Sequence, residues 1–127
     1  MENLIIEPTN KTPRVNFNAI SGKMELSGRS IPENAFQFYD ELSRWLDDYS
    51  KTPAKETVFN FKLEYFNTSS SMYVLGILKK LERMHLEGKK ITICWYYDIE
   101  DEDMLQTGED LKQIVKEVPM QMMEMEL

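Results

Sequence analysis

Apolar and polar residues alternate through Phe59, Phe61, Leu63 and Tyr65, with Asn60, Lys62 and Glu64 between them. A period of two buries one face of a strand and leaves the other wet, so a strand is expected over 57–66. The period then changes. Val74, Ile77, Leu78, Leu81 and Met84 recur at three- and four-residue steps, Lys79, Lys80, Glu82, Arg83 and Glu87 fall off that stripe, and Gly88 supplies a stop. This pattern predicts a helix over 70–87. Ile91, Ile93 and Trp95 alternate again, with Thr92, Cys94 and Tyr96 outward, and predict a strand over 90–97. Strand, helix and strand in that order make a crossover unit, whose two strands should be parallel.

The flanking segments extend the same pattern. Val15-Asn16-Phe17 and Lys23–Ser27 read as strands joined by a hairpin turn at Ser21-Gly22, and Leu4-Ile5-Ile6 is an apolar run closed by Pro8. Ser30-Ile31-Pro32-Glu33 has the form of a capping box. Ala35, Phe38, Tyr39, Leu42, Trp45, Leu46 and Tyr49 follow as one helical face, ending near Ser50 with Pro53 beyond. Asp98–Asp103 reads as a solvated acidic loop. Thr107-Gly108-Glu109-Asp110 then starts a short helix carrying Leu111, Ile114, Val115 and Val118, and Met120–Met125 is a last, edge strand. The expected fold is α/β: one domain over residues 1–127, a mixed sheet, and helices packed mainly on one face, because the strands alternate instead of being apolar throughout.

Composition narrows the function classes. Hydrophobic residues form 42% of the chain, too much for a disordered segment. A formal charge of −7 disfavours nucleic acid and anionic membrane as partners, since both select basic surfaces. One cysteine, Cys94, excludes an internal disulfide and suits a reducing compartment. With no signal-peptide pattern and no apolar run of spanning length, a cytoplasmic location without membrane insertion is expected.

Candidate chemistry centres on Asn67-Thr68-Ser69-Ser70-Ser71, a run of hydroxyls at the junction of strand and helix. Unpaired N–H groups and the helix dipole favour negative charge there, and sites in open α/β sheets lie at the carboxyl ends of strands. The local pattern leaves two readings, a helix cap on Thr68 or Ser69 and a site for a bound or attached phosphate; capping is the commoner. Enzyme readings are poorer. His85 is the single histidine, on a helix among charged residues, Cys94 lies inside a strand, and no phosphate-binding glycine loop or nucleophile elbow occurs. One histidine and one cysteine cannot make a usual zinc site, and the acidic run lacks the sixth-position glycine of a calcium loop. No cofactor, metal site or catalysis is expected. Met120, Met122, Met123 and Met125 suit a core edge.

Three blocks carry a family resemblance: Ser30-Ile31-Pro32-Glu33-Asn34, Tyr65-Phe66-Asn67-Thr68-Ser69-Ser70 and Trp95-Tyr96-Tyr97-Asp98. In this order, and over nearly the whole chain, they resemble the SiaC family of bacterial regulatory phosphoproteins, whose fold is related to STAS domains such as SpoIIAA. The resemblance implies a partner switch. A SiaB-like kinase would phosphorylate Thr68, the residue matching the family's phosphorylated threonine, and a SiaA-like membrane-bound phosphatase would reverse it. The unphosphorylated form would activate an effector such as a SiaD-like diguanylate cyclase, raising cyclic di-GMP and promoting biofilm. Asn67, Ser69, Ser70 and Ser71 would border the partner surface. A constitutive STAS-like interaction domain and an anion- or nucleotide-binding module at the same helix start are the alternatives.

Overall fold

A computed structural model describes residues 1–126. Among them, six strands form one sheet in the order of the chain: β1 (Leu4–Ile6), β2 (Arg14–Phe17), β3 (Lys23–Ser30), β4 (Thr57–Phe66), β5 (Ile91–Asp98) and β6 (Met120–Met125). The pairs β1–β2 and β2–β3 are antiparallel, whereas β3–β4, β4–β5 and β5–β6 are parallel. Each parallel step is bridged by a helix: α1 (Ala35–Lys51), α2 (Thr68–Leu86) and α3 (Glu102–Ile114).

Alternation decides which face the helices cover. Phe59, Phe61 and Leu63 of β4, Ile91, Ile93 and Trp95 of β5, and Val15, Phe17, Met24 and Leu26 of β2 and β3 are all buried. They meet Leu42 and Leu46 of α1 and Val74, Leu78 and Leu81 of α2 in one core. The intervening residues Glu25, Asn60, Lys62, Thr92 and Tyr96 are half-buried on the opposite face. There Glu25 pairs with Lys62 at 3.0 Å and with Arg14 at 3.6 Å, and the Lys62 ammonium lies 4.8 Å from the Tyr96 ring centre. A wet face of mixed charge needs no helix over it. The hairpin turn at Gly22 requires glycine, since φ is +76° and a Cβ would meet the backbone oxygen of Glu56.

Three helix starts differ from the sequence expectation. α1 is not capped by a box at Ser30: Asn34 is the cap, its Oδ1 accepting from the Gln37 N–H at 3.0 Å. Ser30 is instead the last, buried residue of β3. α2 begins at Thr68, two residues before the expected start, because Asn67 is its cap. α3 begins at Glu102, well before Thr107, capped by Asp101, whose carboxylate accepts from the Met104 N–H at 3.0 Å. The acidic run is therefore only partly a loop. Asp98 caps a tight turn by accepting from the Glu100 N–H at 2.9 Å, while Glu102 and Asp103 occupy a first helical turn, where the dipole favours carboxylates. Val115 and Val118 lie beyond the end of α3 but are buried in the core as expected.

Candidate functional site at the start of helix α2

The carboxyl ends of β3, β4 and β5 share one edge of the sheet, and all three helices start from it. Strand β4 ends at Phe66, so the hydroxyl run begins one residue past the strand. Asn67 adopts an extended backbone (φ −83°, ψ 175°) and caps α2 with its side chain, Oδ1 accepting from the Ser70 N–H at 2.9 Å. The cap is thus an amide oxygen, and no hydroxyl of the run is needed for it. The first-turn N–H groups of Thr68 and Ser69 have no acceptor within the helix, and they leave the positive end of the dipole open to solvent.

The four hydroxyls are not equivalent. Ser69 Oγ donates to Asn67 Oδ1 at 3.1 Å, and Ser71 Oγ donates back to the Thr68 carbonyl at 2.6 Å. Ser70 is fully buried, and its Oγ lies 2.9 Å from Ser30 Oγ and 3.2 Å from the Ser30 carbonyl. Thr68 is exposed, and its hydroxyl alone in the run makes no hydrogen bond among the described residues. Of the four it is the one that a transferase could engage without first breaking a bond of the fold.

Ser70 therefore faces the core, while Asn67 and Ser71 are half-buried and Ser69 is exposed. A signal for this exists in the sequence, since Ser70 stands four residues before Val74 and shares the buried stripe with Ile77, Leu78 and Leu81. The same inward cluster holds a residue that the sequence marked only as core. Tyr39 of α1 is buried, its hydroxyl lies 2.6 Å from Ser30 Oγ, and its ring stacks on Tyr73 of α2 with centroids 5.4 Å apart. Burial pushes the Tyr39 phenol up in pKa, outweighing the lowering by the nearby Ser30 and Ser70 hydroxyls, so it stays protonated and can donate to Ser30.

The surroundings suit a macromolecular partner better than an anion. Tyr65 and Met72 are large exposed apolar residues on either side of Thr68 in the chain, and Met72 stands one helical turn from it on the same face. A cleft of about 230 Å³ adjoins the end of β4, and Glu64, Asp101 and Asp103 line it together with Tyr65, Phe66, Met104 and Thr107. Three carboxylates without a basic side chain repel nucleotides and phosphate. Elsewhere, His85 is half-buried, and its buried Nδ1 has no hydrogen-bond partner among the described residues. Cys94 is buried, which pushes its thiol up in pKa. Among the described residues no group of three or more His, Cys, Asp or Glu side chains could hold a metal ion, and no helix is long and apolar enough to cross a membrane.

Fold and site together define a class: a mixed α/β domain that presents one unbonded hydroxyl at a helix start on the carboxyl edge of its parallel strands. The family model described as SiaC family regulatory phosphoprotein matches residues 6–125, and the chain belongs to that family. An uncharacterised protein of Pseudomonas aeruginosa strain UCBPP-PA14 is 26% identical over 113 residues, covering 89% of this chain and 90% of its own. The fold agrees closely with solved structures of Pseudomonas aeruginosa SiaC. Apo-SiaC matches with a TM-score of 0.88 at 24% identity, over 97% of this chain and 99% of that one. A crystal structure of the diguanylate cyclase SiaD in complex with its activator SiaC contains a match with a TM-score of 0.90, again at 24% identity, over 96% of this chain and 99% of the other.

Proposed function

We propose that this chain is a partner-switch protein without catalysis of its own, controlled by phosphorylation of Thr68. Unphosphorylated, it binds and activates an effector such as a diguanylate cyclase. A SiaB-like kinase charges Thr68 and blocks that contact, and a SiaA-like phosphatase restores it. One observation carries the reading: within the run Thr68–Ser71, the Thr68 hydroxyl alone is exposed and makes no hydrogen bond among the described residues. Membership of a family of regulatory phosphoproteins supports it, and so does the activator role of the related SiaC in its complex with SiaD.

The physical account needs no change of fold. A phosphate brings a charge of about −1.5 to −2, which the open N–H groups and dipole of α2 accommodate. The same charge in a docking surface would have to be desolvated against the partner, and the acidic cleft at the end of β4 offers no basic side chain to offset it. Asn67, Ser69 and Ser71 border that surface, whereas Ser70 supports it from within. A cytoplasmic setting follows from the same reading, since kinase, ATP and cyclase act there.

Incubation with the cognate kinase and ATP, followed by mapping of phosphate by mass spectrometry, tests the assignment. Label is expected on Thr68. Label confined to other residues would sink it.

A further inference from the structure

Three buried hydroxyls beneath the phosphoacceptor form a chain whose proton order is fixed by counting. Ser70 Oγ has one proton, and the carbonyl of Ser30 at 3.2 Å can only accept, so Ser70 donates there. Ser30 Oγ, 2.9 Å from Ser70 Oγ, must then supply the proton of that contact, and Tyr39 OH supplies the one at 2.6 Å to Ser30 Oγ. The order runs from Tyr39 of α1 through Ser30 of β3 to Ser70 of α2 and ends on the Ser30 carbonyl. Each of the three protons is used once. That same carbonyl also accepts from the backbone N–H of Asn67 at 3.0 Å.

Ser30 thus grips the start of α2 at two points, the cap residue and the third residue of the first turn. Thr68 and Ser69 are the two residues between those points. Tyr39 adds a third support, its ring parallel to that of Tyr73 within 1°. Ser30 and Ser70 are two of the three buried polar or charged residues found among the described residues, so their pairing is not a generic feature of this core. Without the grip, the first turn of α2 would fray as helix ends do, and the hydroxyls of Ser69 and Ser71 would leave their local acceptors.

We infer that the chain Tyr39–Ser30–Ser70 is a positioning device which holds the first turn of α2 so that Thr68, and not its serine neighbours, is offered for phosphoryl transfer. This rests on the proposed phosphorylation of Thr68. Ser70 and Tyr39 are positioning residues: neither touches the reacting hydroxyl.

Two variants and two readouts test it. Ser70→Ala removes both side-chain ties to Ser30, and Tyr39→Phe removes only the first donor while keeping the ring stack. For Ser70→Ala, amide exchange at Ser70 and Ser71 should quicken by about tenfold relative to the strand amides of β4, as expected for loss of a buried hydrogen bond. Kinase labelling should spread measurably from Thr68 to Ser69 and Ser71. Tyr39→Phe should change both in the same direction by about threefold, and it carries the test should Ser70→Ala fail to fold. A uniform rise in exchange over the whole domain would indicate a purely structural role and overturn the inference. Labelling that stays wholly on Thr68 in every folded variant, with unchanged local exchange, would overturn it too. If the unaltered protein takes no label on Thr68, the phosphoacceptor assignment fails, and local exchange in the variants still decides whether the grip exists.

Discussion

Phosphorylated at Thr68, the protein should bind its effector about a hundredfold more weakly than the unmodified form, and effector activation should fall in step. The estimate follows from desolvating a dianion against a partner, with no basic side chain in the acidic cleft at the end of β4 to offset it. Thr68→Asp carries one charge on a shorter side chain and should cost about tenfold. Thr68→Ala removes no hydrogen bond of the fold and should bind within about threefold of the unmodified protein while resisting the kinase. Stability separates these effects from trivial unfolding. Since Asn67 is the cap, Thr68→Ala should change unfolding free energy by less than about 0.5 kcal/mol. Thr68→Asp places a carboxylate in the first turn of α2 and should raise it by about 0.3–1 kcal/mol. A form that is more stable yet binds worse is a signature that damage to the fold cannot imitate. Titration calorimetry of the four forms against a candidate diguanylate cyclase, beside urea unfolding, measures both. Equal affinities would show that charge at Thr68 does not gate docking.

The largest loss of stability is expected for Gly108→Ala. Gly108 is buried in α3, and a Cβ there would run into the Trp95 ring at Cδ1, Nε1 and Cγ. Trp95 cannot yield easily. It is 1% exposed, packs against Phe61 and Phe66, and donates from Nε1 to the Met104 carbonyl at 3.0 Å. Overpacking of this kind costs about 1–3 kcal/mol, and displacing the indole adds about 1 kcal/mol for its hydrogen bond. The better helix propensity of alanine returns about 1 kcal/mol. A net loss of about 1–3 kcal/mol should lower the urea midpoint clearly, with the fluorescence of Trp95 and Trp45 as probe. An unchanged midpoint would mean that α3 slides away from β5 at no cost.

Much of this was legible in the sequence, and the exceptions share a cause. The alternation in β4 and β5 and the stripes of α1 and α2 are set by burial on one face, which a linear pattern displays directly. The starts of helices are set by which side chain reaches which N–H, and several candidates compete over a few residues. Ser30 and Glu33 fit the form of a capping box, yet the pairing in β3 continues to Ser30 and leaves Asn34 to cap α1. Asp101 lay hidden in a run of carboxylates, any of which could have capped α3. The site shows the same division. A hydroxyl-rich helix start can be read from the chain, and so can the family resemblance that marks Thr68. That Ser69 and Ser71 are tied to local acceptors and Ser70 turned inward depends on contacts with Asn67, Thr68 and the distant Ser30.

Cys94 has a practical consequence. It lies on the helix-free face of β5, buried between Asn60 and Gln121 in the strand register, and its raised pKa keeps it as the thiol at neutral pH. The chain therefore comes close to being its own cysteine-free background for labelling. A thiol introduced at Ile20, 86% exposed in the β2–β3 turn at the sheet edge opposite Thr68, would be alkylated well ahead of Cys94. A dye carried there would let docking be timed by anisotropy, without placing any foreign group on the surface proposed for docking.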